Sequence, residues 1–115
     1  MNLPAAKVIE RRTDSCRLAV DLASAASAFE GHFPGFPILP GVVQVDWAMR
    51  FAARIFDLGE VWASDIRIKF RQPIRPTAPL VLELAFVRTK RRLEFAYRSG
   101  SKAVASGQID LGAAE

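Results

Sequence analysis

The chain has 115 residues, half of them hydrophobic and 24% charged, with a formal net charge of +4. That balance excludes a disordered chain, and no apolar run approaches the roughly 20 residues needed to span a bilayer. The length fits one domain, residues 1–115. The positive balance suits either an acidic partner or a solvated basic surface. Basic residues alternate with apolar ones, and no zinc-finger, helix-turn-helix or RNP signature occurs, which argues against nucleic acid. The lone Cys16 fits a reducing compartment, and Met1 to Lys7 lack the charged and apolar regions of a secretory signal. A cytoplasmic location is expected.

In chain order, Lys7–Glu10 and Cys16–Leu22 alternate as two short strands around Arg12 to Ser15, and Ala23 to Ala28 suits a short helical turn or loop. Pro34, Pro37 and Pro40 then forbid a continuous helix. From Gly41 to Phe56 the spacing of Val42, Val45, Met49, Ala52, Ala53 and Phe56 predicts a helix with an apolar face. Pro40 suits its start and Gly59 its stop. Val61–Ala63 and Asp65–Arg71 read as strand, with Ile66, Ile68 and Phe70 on one face. A second proline run, Pro73, Pro76 and Pro79, precedes three meandering strands over Leu80–Arg88, Leu93–Ser99 and Ala103–Leu111. One helix among five or six antiparallel strands is an α+β domain. Phe70, Phe86, Phe95 and Tyr97 are expected to pack on Val45, Met49 and Phe56.

The first proline run follows the only histidine, His32. An imidazole there serves as a general base or, equally in keeping with a lone histidine, caps its loop. Gly31 and Gly35 permit a ligand to approach the backbone. Asp46, Arg50 and Arg54 are spaced as an exposed salt-bridged stripe, yet Val42, Val45, Trp47 and Met49 around Asp46 would raise its proton affinity and suit an acid. The Gly41 N–H, in the first turn, has no intrahelical partner and suits a carbonyl oxygen gaining negative charge; the glycine equally eases entry into the helix. Cys16 has no activating partner, and one histidine with one cysteine makes no metal site. The proline runs carry Phe36, Ile38, Leu39 and Ile74 and belong inside the fold rather than to an SH3 partner.

The run Gly31-His32-Phe33-Pro34-Gly35-Phe36-Pro37-Ile38-Leu39-Pro40-Gly41-Val42-Val43-Gln44-Val45-Asp46 resembles the signature of the hot-dog-fold 3-hydroxyacyl-(acyl carrier protein) dehydratases of fatty acid synthesis. Lys69-Phe70-Arg71-Gln72-Pro73-Ile74-Arg75-Pro76 resembles the strand and loop that follow their helix. The likeness covers about residues 28 to 111. It implies a hot-dog fold, one long central helix wrapped by an antiparallel sheet. It also implies a homodimer, or a dimer-based oligomer, with His32 of one subunit facing Asp46 of the other.

By the same resemblance His32 removes the C2 proton, Asp46 protonates the departing 3-hydroxyl and the Gly41 N–H polarises the thioester carbonyl. Phe33, Pro40, Val42, Trp47 and Arg71 are then the residues expected against substrate. The product is a trans-2-enoyl thioester, with neither cofactor nor metal required. The partner is an acyl carrier protein with phosphopantetheine-linked substrate, which Arg67, Lys69, Arg71, Arg75 and Lys90 to Arg92 would attract, unless they merely solubilise the strands. Asp46 stands where one branch has glutamate, Arg50 where glutamine is usual, and Trp47 where a small residue is usual, which implies an altered acyl tunnel. The sequence Val43 to Ala48 looks most like dehydratases of aryl polyene pigment clusters. Thioester hydrolysis on this fold, or a non-catalytic acyl-thioester-binding or assembly subunit, are the other readings.

Overall fold

The computed structural model describes residues 3–29 and 37–113. Gly31, His32, Phe33, Pro34, Gly35 and Phe36 lie outside the described residues. The elements are β1 (Ala5–Arg11), β2 (Ser15–Asp21), a 3-10 segment (Leu22–Phe29) broken at Ala25, α1 (Gly41–Ile55), β3 (Val61–Phe70), β4 (Leu80–Val87), β5 (Arg92–Ser99) and β6 (Lys102–Ala113). All six strands are antiparallel in one sheet of order β1-β2-β4-β5-β6-β3. The hot-dog arrangement expected from the sequence is thus in place, with α1 held by one face of the sheet.

Strict alternation builds that face. Leu18 and Val20 on β2, Leu82 and Leu84 on β4, Leu93, Phe95 and Tyr97 on β5, and Ile109 and Leu111 on β6 are all buried. Each such side chain contributes roughly 1.5–3 kcal/mol by leaving water. Arg11 closes the far end of the helix, its guanidinium donating to the Ile55 carbonyl, where the helix dipole is negative.

The helix buries a different face from the one its spacing predicts. Val43, Gln44, Trp47, Ala48, Phe51 and Ala52 are buried, whereas Val42 is 76% exposed and Val45 and Met49 pack only at the margin. Apolar residues run nearly all the way round α1, so spacing alone is degenerate. Trp47 and Phe51, one turn apart, carry the largest apolar areas and decide the rotation. Of the expected aromatic contacts, Phe56 and Phe86 do stack, with ring centroids 6.2 Å apart. Tyr97 meets the helix through its hydroxyl, which donates to the Gln44 carbonyl at 2.6 Å. Phe70 does not join the core and is 54% exposed.

The chain leaves α1 earlier than Gly59. Phe56 caps the helix and Asp57 takes the left-handed conformation (φ 54°), followed by Gly59 at φ 69°. On β3 the register shifts between Ala63 and Asp65, and Ile66, Ile68 and Phe70 lie opposite Ile109, Gly107 and Ala105. Those partners face the helix side, as expected. Yet β3 is an edge strand that meets α1 only in part: Ile68 packs against the core, while Ile66 remains 45% exposed.

Candidate active site

The two proline runs meet at the N-terminus of α1. Leu39 and Ile74 are both buried, and the Leu39 N–H donates to the Ile74 carbonyl at 2.8 Å. Pro40 is extended (φ −61°, ψ 147°), and its carbonyl accepts from the N–H groups of Val43 and Gln44 at 3.1 Å each. Gly41 begins the helix, and no acidic residue occupies the first turn. The first turn itself therefore brings no negative charge to the positive end of the dipole.

Gly41 opens onto an apolar cleft of about 520 Å³ whose walls include Leu39, Pro40, Phe70, Arg71 and Pro73. A Cβ at Gly41 would lie 2.7 Å from the tip of the half-exposed Phe70 ring, so any side chain there displaces the ring. The expected site residues Gly41, Pro40 and Arg71 are thus brought together. Phe70, which the pattern assigned to the core, forms the cleft's opposite wall.

Asp46 and Val42 lie elsewhere. With Val43 and Arg50 they line a second concavity, of about 420 Å³, on the uncovered side of α1. Asp46 pairs with Arg50 at 3.4 Å, the i, i+4 contact that the spacing allowed, and the two side chains are 45% and 42% exposed. Trp47, expected against substrate, is instead 0% exposed in the core and lines neither concavity. It is the bulk behind the site rather than its wall. His32 and Phe33 lie outside the described residues.

Burial pushes the Tyr97 phenol well above its usual range, and the Asp46 charge adds to this, so Tyr97 remains a donor to the helix. The basic residues do not form one patch. Phe70 pairs with Ala105 and Arg92 with Asp110, so Arg71 and the Lys90 to Arg92 turn are separated by about 17 Å along β6. Arg92 is also bound to Asp110 at 2.7 Å, and Arg67 to Asp65 at 3.4 Å.

A family model described as ApeI-like, ApeI dehydratase, matches residues 8–108. The chain belongs to the ApeI-like family. A solved structure titled the dehydratase heterocomplex ApeI:P from Xenorhabdus doucetiae superposes with a TM-score of 0.86 at 29% identity, covering 96% of this chain and 98% of that one. An uncharacterized protein from Erwinia carotovora subsp. atroseptica matches at TM-score 0.73 and 34% identity, over 96% and 97% of the two chains. Among curated relatives, the 3-hydroxyacyl-(acyl-carrier-protein) dehydratase FabZ of Erythrobacter litoralis (strain HTCC2594) is 36% identical over 89 residues, 69% of this chain and 56% of the relative. The chain spans about half the length of the curated relatives it matches.

One residue of this ApeI-like site escaped the sequence reading. Gln44 is buried, lines the Gly41 cleft and donates through Nε2 to the Leu39 carbonyl at 3.0 Å. Its spacing from Trp47, Ala48 and Phe51, all on the buried face, is the available signal once the helix is phased on Trp47 and Phe51. No helix among the described residues is long and apolar enough to cross a membrane.

Proposed function

We propose that this ApeI-like protein dehydrates (3R)-hydroxyacyl thioesters carried on acyl carrier protein to trans-2-enoyl thioesters, in fatty acid or polyene synthesis. The observation that carries the reading is Gly41, which begins α1 at its positive end and lines an apolar cleft of about 520 Å³; its N–H has no intrahelical partner. A donor so placed is stronger toward an enolate-like oxygen than toward the ground-state carbonyl. His32 takes the C2 proton, and Asp46 helps to protonate the departing 3-hydroxyl, directly or through water. The C2–H and C3–O bonds break, the C2–C3 double bond forms and water leaves. Phe33, Pro40 and Arg71 contact the substrate, and Val42 contacts it from the second concavity.

Among the described residues nothing covers the face of α1 that carries Asp46 and exposed Val42, which supports an acid that serves the site of a second subunit. The free edge of β3, with Ile66 and Phe70 exposed, supports a dimer across that side. We read the partner as a second copy. The solved relative titled a heterocomplex makes an unlike subunit the alternative outcome, and native mass spectrometry of the purified chain separates the two.

The test is to supply a 3-hydroxyacyl thioester and follow the conjugated enoyl product. His32→Ala and Asp46→Asn each lower the rate by about 10²–10⁴-fold, the usual worth of a general acid or base. Free thiol without enoyl product would mark a thioesterase. Binding without turnover would mark an assembly subunit, the reading that the Asp46–Arg50 pair favours.

A further inference from the structure

Among the described residues, Gln44 is the one buried side chain that carries an amide or a charge, 4% exposed. A buried amide is costly unless it is hydrogen-bonded, and a leucine or methionine would fill the same space. What the amide supplies is an N–H. Nε2 donates to the Leu39 carbonyl at 3.0 Å, while Oε1 has no partner among the described residues. Only the donor end of an amide can face a carbonyl, so the contact with Leu39 fixes the side chain's orientation.

Gln44 grips the peptides on both sides of Pro40. Its side chain holds the Leu39 carbonyl and its backbone N–H holds the Pro40 carbonyl. In a trans peptide the N–H points opposite to the carbonyl. With the Pro40 carbonyl drawn into the helix, the Gly41 N–H is turned outward. Gln44 is anchored from behind by Tyr97, whose buried hydroxyl donates to the Gln44 carbonyl, and the loop is anchored in front by Leu39 on Ile74. A series of hydrogen bonds therefore runs from β5 through α1 to the loop after β3, with the Gly41 donor at its centre.

We propose that Gln44 is a positioning residue, clamping the Leu39–Pro40 peptide so that the Gly41 N–H meets the thioester oxygen. The proposal rests on the dehydratase reading for its catalytic consequence, but the clamp itself is open to measurement without activity. The experiment uses the full chain with Gln44→Met, which keeps the shape and removes the N–H, and Gln44→Glu, which keeps the shape and a polar end but donates nothing when ionised. Two readouts are taken from each folded variant, as judged by its thermal transition.

In turnover of a 3-hydroxyacyl thioester, kcat falls about 10- to 100-fold while KM stays within about twofold, since the lost interaction belongs to the transition state. In the 1H–15N spectrum, the Gly41 amide shifts and exchanges faster, while amides of β4 do not. A Gly41 amide unmoved in both variants overturns the clamp whatever the activity. A moved amide with kcat unchanged overturns its role in catalysis. If the unsubstituted chain dehydrates nothing, the dehydratase reading fails, and the Gly41 amide still decides the clamp.

Discussion

The two sides of α1 near its N-terminus are built by opposite rules. On the Gly41 side the loop is tied within the chain, by Gln44 to Leu39, by Leu39 to Ile74 and by Val43 and Gln44 to Pro40. On the Asp46 side an exposed valine, a half-exposed carboxylate and Arg50 surround an open concavity that none of the described residues covers. The first side is preorganised, as a site that stabilises developing charge must be. The second is unfinished, as a surface that waits for another subunit must be. On the proposed reading, one helix supplies an N–H donor inward to its own cleft and an acid outward to its neighbour's.

The sharpest way to break this contrast is to substitute on each side and ask whether folding or assembly responds. Trp47→Ala, behind the site, removes a fully buried indole and costs about 3–5 kcal/mol in denaturant unfolding. Val42→Asp, on the open side, leaves the unfolding of the isolated chain within about 0.5 kcal/mol but converts the dimer to monomer in light scattering, with loss of turnover. Should Val42→Asp remain a fully active dimer, the open side is not the interface.

A smaller effect is expected from Tyr97→Phe. It deletes the hydroxyl that holds the Gln44 carbonyl and costs about 1 kcal/mol, with the helix bond of that carbonyl retained. An unfolding midpoint unchanged from the parent chain would show that the Tyr97 anchor adds nothing to the tied side.

The smallest effect concerns the sheet away from both concavities. The hydrogen bond from Arg92 holds the Asp110 carboxyl below its usual range. A depressed carboxylate contributes stability above its unfolded value and loses it as pH falls through the folded one. Asp110→Asn therefore flattens the acid limb of the unfolding curve below about pH 4, where free aspartate titrates. It leaves turnover at neutral pH alone.

The strands and the start of α1 were legible because each carries a local cause. Period-two alternation marks β4, β5 and β6, and Pro40 followed by Gly41 marks the helix entry. The helix's rotation was not legible, because Val42, Val45 and Met49 compete with Val43, Trp47 and Phe51 for the same sheet. Only three-dimensional packing of the large rings settles it. Phe70 differs for a related reason: its pattern gives its face of the sheet but not how much of the edge strand α1 covers, and at Phe70 only the helix's first residue approaches the ring. Gln44 was passed over as one polar residue in a run of valines, although burying it is what ties the loop. The motif from Gly31 to Asp46 was legible as a family signature, but that Gly41 and Asp46 open onto different concavities follows only from the fold.

Mixing two inactive variants tests the central claim most directly. In a dimer whose sites each take His32 from one chain and Asp46 from the other, His32→Ala and Asp46→Asn chains exchange into hybrids with one intact site. Statistical exchange between two-fold dimers then restores about a quarter of the parent activity. No recovery, with hybrids verified by native mass spectrometry, would contradict an active site shared across the subunits.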